Sequence, residues 1–472
     1  MLRIENWGLA ADESGALIVG GARAEDLART YGTPLHVIDE AALRTRVRRF
    51  RDAFEAAYHG RVSVHYALKC NSTPGIVERI VSEGIRLEAG TLFEWTLARR
   101  LGVPPGGIVV NGPHKGPLLD AALGTDPAGW TGAAGRDEAP LVVADGPADL
   151  DAIETAAMWS GHVARVLLRV NPNAVPKGMN RASATGSRKH SVFGFDPASG
   201  EIAPALDRLA RSRAIRFEGF HCHAGTGIRR RDDYDRPIAV LLDAAVEAAR
   251  RGHETRALDV GGGFGVPTSR EMDTIQFLLY QGAGRLPKPP DPRRCPPIEA
   301  FAAAVCAAVE NGCAVRGLPL PALLLEPGRS LVSGAGVLLL TVGSIKHRRG
   351  VRSWAIADGG AGTVAFPLFY EYHEIFLCRA PAAPRGHTYA LVGPACFSAD
   401  WICRCKRMPE LRPGDVLAVC DAGAYFTVQE SNFGFPRPAI IAVSGGNARV
   451  LRRRETFEDM VSRDAGWEDG RA

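Results

Sequence analysis

Eight short apolar runs dominate the first two-thirds of the chain. They fall at residues 62–68, 85–88, 108–111, 141–144, 165–170, 217–222, 257–260 and 322–326. Continuous runs of this length, rich in Val, Leu and Ile, fit strands buried on both faces, as in a parallel sheet. Helical patterns lie between them. In PGIVERIVSEG, Ile76, Val77, Ile80 and Val81 recur on one face, Pro74 opens the segment and Gly84 closes it. Residues 235–251 and 298–310 also read as helix. Eight strands alternating with helices over about 265 residues predict a (β/α)₈ barrel. A doubly wound sheet usually stops at five or six strands and gathers its ligand signals at one switch point. Here polar and Gly-rich signals follow nearly every run.

After Arg329 the texture changes. Residues 336–342, 353–357, 388–392, 415–420 and 438–443 read as strands, with no long helices between them. The predicted fold class is therefore α/β: a barrel over 36–334, and a β-rich domain from 1–35 and 335–472. Residues 16–19 add a short strand, and the stretch from 451 onward reads as a solvated tail. Segments 124–140 and 268–297 read as surface insertions. No internal repeat is evident.

Composition narrows the function classes. Lys plus Arg is 57 against 52 Asp plus Glu, a net charge of +5. That is too small and too scattered for a nucleic-acid partner. Hydrophobic residues make up 46% and charged residues 23%, close to globular averages. No run of about 18 uncharged apolar residues suggests a membrane partner. The N-terminus has no signal-peptide core, and the ten cysteines form no CxxC pair. The expectation is a reduced, cytoplasmic protein without a structural metal.

The ends of the runs carry the chemistry. The first ends HYALKCN, placing Lys69 at the end of a buried strand. Burial lowers a lysine pKa and makes the amine reactive toward carbonyls; the plainer reading is a lysine reaching out to the rim. The sixth ends GFHCHAGTG. His221 and His223 are expected to diverge, one of them facing the mouth, which weakens a shared metal site. Thr226 offers a hydroxyl to an anion. The seventh ends LDVGGGFG, and Gly261, Gly262 and Gly263 can bring backbone N–H groups to a phosphate. The eighth ends LLLEPGRS. There Arg329 can grip phosphate and Glu326 needs a partner, which could simply be Arg329. A reactive amine, a histidine ring, a glycine cradle, an arginine and a buried carboxylate together suit pyridoxal 5′-phosphate.

These motifs make the chain recognisable. YALKCN, HCHAGTG, DVGGGFG, EPGRS, GPACFSAD and CDAGAYF occur in the order found in fold type III pyridoxal-phosphate decarboxylases, the diaminopimelate, ornithine and arginine decarboxylase family, which shares its fold with alanine racemase. The resemblance runs from TPLHVID at 33–39 to Phe426. It implies that Lys69 is the Schiff-base lysine and that His223 stacks on the cofactor ring. Glu326 faces the ring nitrogen. Thr226, Gly261, Gly262, Gly263, Pro327, Gly328, Arg329 and Tyr425 surround the phosphate. Glu88 and Arg169 form a charged pair near the lysine. Cys396 is implied to return a proton to the carbon that loses CO₂, acting in the active site of a neighbouring subunit, so the resemblance implies a homodimer with shared sites.

The substrate contacts depart from that family. The residue after the cysteine is acidic in its best-known branches; here it is Phe397. Tyr370 and Glu371 fall where ornithine-type enzymes place a tyrosine and an aspartate, and Asp400 closes the cysteine motif. The reading is a decarboxylase of a diamino acid or an amino-acid conjugate, in specialised metabolism such as siderophore synthesis. The alternatives are diaminopimelate decarboxylation in lysine synthesis, a racemase of the same fold, or a non-catalytic binding homologue.

Overall fold

The computed structural model describes residues 3–124, 139–177, 191–364 and 370–464. It divides into two compact units. One contains Arg46–Gly265 and Arg293–Leu331; the other contains Met1–Thr45, Val266–Pro292 and Val332–Ala472. The sequence placed all of 36–334 in one domain. In the structure 266–292 belongs with the β-rich unit, because its strand Arg270–Glu271 pairs with Glu371–Tyr372 there.

All eight apolar runs become strands of one closed parallel barrel. In chain order they are β1 Val62–Ala67, β2 Arg86–Ala89, β3 Ile108–Val110, β4 Leu141–Ala144, β5 Ala164–Arg169, β6 Ile215–His221, β7 Ala257–Asp259 and β8 Ala322–Leu325. Neighbours around the barrel are neighbours in sequence, and β8 closes onto β1. Val109, Leu141, Val143, Leu167, Ala257, Ala322 and Leu324 fill the interior. Their inward positions share the strands' period of two, so a charged residue at a strand end can follow an apolar interior residue on the same face.

The shell helices follow their strands. Pro74–Ser82 buries Ile76, Val77 and Ile80 after β1, as the stripe predicted. Asp235–Arg250 follows β6, and Ile298–Arg316 packs against it. Within 292–316 an 18-residue window has a mean hydropathy of 1.5, long and apolar enough to cross a membrane by length and composition, although charged residues such as Glu299 and Glu310 interrupt the segment. Its helix instead buries Phe301, Val305, Cys306 and Val309 in the barrel shell. Phe264 lies at the centre of an aromatic cluster: it stacks on Tyr234 at 5.0 Å and meets Phe50, Phe54 and Phe301 edge-on at 5.3, 5.5 and 5.9 Å.

The β-rich unit is built on a nine-stranded sheet. Its long central strand, β9 Gly336–Arg348, pairs with β10 Arg352–Ala357, with Leu35–Asp39 and with Val416–Val419. The insertion 268–297 is structured, with a helix at Thr274–Ala283; in 124–140, residues 125–138 lie outside the described residues. The supposed tail is also partly structured. Asn447–Arg452 pairs with Ala439–Ser444, and Phe457–Val461 starts with a capping box at Thr456. Basic side chains disguised that edge strand as a tail.

Truncating Phe264 to Ala leaves a cavity amid four aromatic rings. It is expected to cost about 3–5 kcal/mol of barrel stability, read as a lowered denaturant midpoint with the β-rich unit's transition unchanged.

Candidate active site in the barrel mouth

In a barrel the strand ends share one rim, so the residue closing each run decides what the mouth contains. Lys69 lies in the turn Leu68–Cys70 after β1, with its side chain half exposed. Its Nζ stands 2.6 Å from Glu88 Oε2 on β2. Burial raises the Glu88 carboxyl to about 7, although the lysine beside it acts in the other direction. The predicted pairing of Glu88 with Arg169 does not form: Arg169 reaches Asp145 at 3.1 Å and stacks over Phe193. Chain order around the barrel explains this, because Glu88 on β2 neighbours β1 whereas Arg169 on β5 neighbours β4.

Glu326, just past β8, is buried. His221 Nε2 lies 3.4 Å from its Oε2, and Asn111 Nδ2 lies 3.4 and 3.5 Å from its two oxygens. A simple Glu326–Arg329 pair thus gives way to His221 and Asn111. Burial alone would raise the Glu326 carboxyl, but His221 and Lys69 outweigh it and hold it well below the usual carboxylate range. Asp259, which closes β7, moves the other way. Burial and then the neighbouring Glu326 charge push its carboxyl well above the usual range.

His221 and His223 do not diverge. Residues two apart in a strand share a face, and both rings lie near Lys69, Arg169 and Glu326. Dense packing holds the His223 imidazole down at about 3. The geometry agrees, because its Nδ1 accepts a hydrogen bond from the Gly262 N–H at 3.3 Å and therefore carries no proton there. His223 thus offers a neutral ring.

The glycine run has a job that the sequence did not reveal. The Gly261 N–H is bound to Asp259 Oδ1 at 2.8 Å and the Gly262 N–H to His223, so neither points into open space. The missing side chains allow three strand ends to touch: a Cβ on Gly262 would lie 2.1 Å from the Glu326 carbonyl oxygen, and one on Gly263 would lie 2.1 Å from that of Gly225. Tyr234 buttresses this loop by donating to the Gly262 carbonyl at 2.9 Å. Thr226 lies half-buried in the turn after β6. Arg329 is buried at the start of Arg329–Val332, and the preceding Pro327–Gly328 turn is anchored by Ala67 N–H donating to the Pro327 carbonyl at 3.1 Å.

The remaining candidates lie in the β-rich unit. Cys396 is exposed, and Phe397 is 48% exposed with its ring 5.1 Å from that of Phe433. Asp400, grouped with the substrate contacts, has both oxygens engaged by the backbone. Its Oδ1 accepts from Ala361 N–H at 2.6 Å and its Oδ2 from Ala395 N–H at 2.8 Å, so one buried carboxylate fastens two loops together. Glu371 is also buried, 3.2 Å from His373 Nε2. The Tyr370 carbonyl accepts from Met272 N–H at 2.8 Å. Tyr425 adopts a left-handed backbone, φ 66°, uncommon for an aromatic residue.

Sequence reasoning missed Asn111, Asp145, Asp259 and Tyr234. The first three lie at or beside the ends of apolar runs, so the rule that found Lys69 and Glu326 would have found them if applied to every run. Tyr234 carried no signal in the sequence. Together, the Lys69 amine, the His223 imidazole, the Glu326 carboxyl and the Arg329 guanidinium have the chemistry to hold pyridoxal phosphate.

Glu88 gives the site a pH signature. Its carboxyl is raised from 4.5 to about 7, so the stability it contributes is complete below about pH 4.5 and is lost as pH rises through about 7. In cofactor-free protein, wild type should therefore lose stability relative to Glu88→Gln between pH 5 and pH 8, by no more than about 3 kcal/mol. Parallel melting curves across that range would contradict the shift.

The sequence matches the family model "Pyridoxal-dependent decarboxylase, pyridoxal binding domain" over residues 40–333. It is 34% identical to a diaminopimelate decarboxylase of Actinosynnema pretiosum, covering 96% of this chain and 93% of that protein. It is 30% identical to the Bacillus subtilis enzyme of the same name, covering 97% of each. Among solved structures, diaminopimelate decarboxylase from M. jannaschii in complex with L-lysine superposes with a TM-score of 0.81, at 26% identity over 97% of each chain. With the barrel mouth described above, these matches show that the chain belongs to the pyridoxal-dependent decarboxylases and is a pyridoxal-phosphate-dependent amino-acid decarboxylase.

Proposed function

We propose that this enzyme removes CO₂ from a diamino dicarboxylic acid of the diaminopimelate class. The observation that carries this substrate is full-length similarity, at 30–34% identity, to enzymes of that name. Loss of one carboxyl from diaminopimelate leaves lysine, the ligand of the similar M. jannaschii structure. The specialised, siderophore-type reading has no support among these relatives.

The bound cofactor supplies an electron sink for the pair left behind by CO₂. In this reading the chain's residues do the rest. The Lys69 amine would hold the cofactor, with Glu88 beside Nζ keeping the amine in place. Glu326 would set its charge toward the ring nitrogen, and His223 would offer its neutral ring to the cofactor. Thr226, Gly263, Gly328, Arg329 and Tyr425 bind the phosphate. Cys396 returns the proton to the α-carbon, and its exposure suits a role in the site of a second subunit. A cytoplasmic homodimer with shared sites belongs to the same proposal.

One observation favours a second substrate. Phe397 and Phe433 present an exposed aromatic surface beside Cys396, which offers a distal ammonium no carboxylate. A CO₂-release screen of cofactor-loaded enzyme decides between them, using diaminopimelate in each stereochemistry, ornithine, lysine, arginine and citrate conjugates. Turnover of a conjugate or of ornithine, with diaminopimelate inert, would overturn the first reading.

Lys69→Ala should abolish the visible absorbance of the bound cofactor; retained absorbance would rule out the assignment. Cys396→Ala should still consume substrate but deliver the proton wrongly, giving an aldehyde by-product, so clean amine from this variant would remove Cys396 from the role. Equal mixtures of the two variants, allowed to exchange subunits, should recover about a quarter of wild-type activity, because half of the dimers would then hold one intact site. No recovery in demonstrably mixed dimers would exclude shared sites.

A further inference from the structure

The ends of β6, β7 and β8 place three titratable side chains side by side. His221 and Asp259 are in register on adjacent strands, and Asp259 is in register with Leu324, two residues before Glu326. All three point the same way and are buried, with exposures of 0%, 0% and 3%. One polar atom from each lies within 4.8 Å of the other two.

Their partners are unequal. Glu326 has Asn111 and His221 on its oxygens, and Lys69 nearby. Asp259 has one backbone donor, Gly261 N–H on Oδ1, while its Oδ2 is buried without a hydrogen-bond partner among the described residues. The largest charges acting on it are those of Glu326 and Glu88, which both repel an anion, and Glu326 is close enough to accept a hydrogen bond from a protonated Asp259. Two buried carboxyls so close cannot both ionise, and the proton goes to the one with the weaker set of compensating donors and charges.

We propose that Asp259 is a positioning residue that works as a neutral acid. It holds a proton on Oδ2, which leaves Glu326 as the single anion of the pair. Through Oδ1 and the Gly261 N–H it also ties the end of β7 to the glycine run. The Glu326 carbonyl is packed against Gly262, and the Glu326 N–H donates to the Gly261 carbonyl at 2.9 Å. Asp259 therefore governs both the charge of the carboxylate and the height at which it stands. The inference rests on the reading above that Glu326 faces the cofactor ring nitrogen. A charged Asp259 would compete for the proton that this nitrogen must keep.

The direct test is net charge. Native capillary electrophoresis at pH 7.5 compares wild-type holoenzyme with Asp259→Asn, using the exposed Asp232→Asn as a one-charge reference. If Asp259 is neutral, Asp259→Asn runs with wild type. A mobility shift equal to the reference overturns the proposal. Positioning is tested by fluorescence titration with pyridoxal phosphate. Asp259→Leu, which removes the Gly261 acceptor, should weaken cofactor affinity about tenfold or more, and Asp259→Asn, which keeps it, by less than about threefold. Equal weakening by both overturns the positioning role. Should the leucine variant not fold, the electrophoretic comparison still decides the proton. A wild-type enzyme whose cofactor absorbance survives Lys69→Ala would sink the site reading itself; a charge shift in Asp259→Asn with the Lys69-dependent absorbance intact sinks this inference alone.

Discussion

Closure of the parallel sheet is the constraint on which the rest depends. Strands as short as β3 and β7, three residues each, cannot satisfy their backbone groups alone. They persist because each has hydrogen-bonded neighbours on both sides in a ring without edges. Closure also puts every strand's last residue at one rim. The chemistry of the mouth follows from which residues lie at the strand ends: Lys69, Glu88, Asp259 and Glu326.

Those residues are titratable groups in a desolvated place, and their states differ because their partners differ. Glu88 lies against an amine and is still raised by burial. Glu326 is held ionised by His221 and Lys69, while Asp259, with one backbone donor, is raised. Burial holds the His223 imidazole down, and its Nδ1 accepts from a backbone N–H. One desolvated region thus shifts neighbouring groups in opposite directions, the pattern of perturbed titration that marks functional sites.

How much of the site was legible varied with the physics of each residue. A lysine or glutamate terminating an apolar run is conspicuous because burying a charge is costly, so Lys69 and Glu326 could be found. The histidine pair was read wrongly on geometry, since i and i+2 share a face. Asp400 looked like a substrate contact because an acidic residue in a motif gives no hint of whether its oxygens are already taken; two backbone N–H groups take them. Phe397 is the reverse case. Its departure was evident in the sequence, yet full-length similarity points to a substrate class that its phenyl ring does not explain.

By itself, the sequence determined the barrel, the split into two folds and the lysine at the mouth. Apolar run length, turn residues and strand-end charges are local signals, and local signals survive in one dimension. Only the tertiary structure decided who pairs with whom. Glu88 meets Lys69 and not Arg169, and the glycine run is packed against the Glu326 carbonyl with two of its N–H groups already engaged. Those outcomes depend on which strands are neighbours and how closely their ends approach, and no periodicity in the chain encodes a distance between residues far apart in sequence.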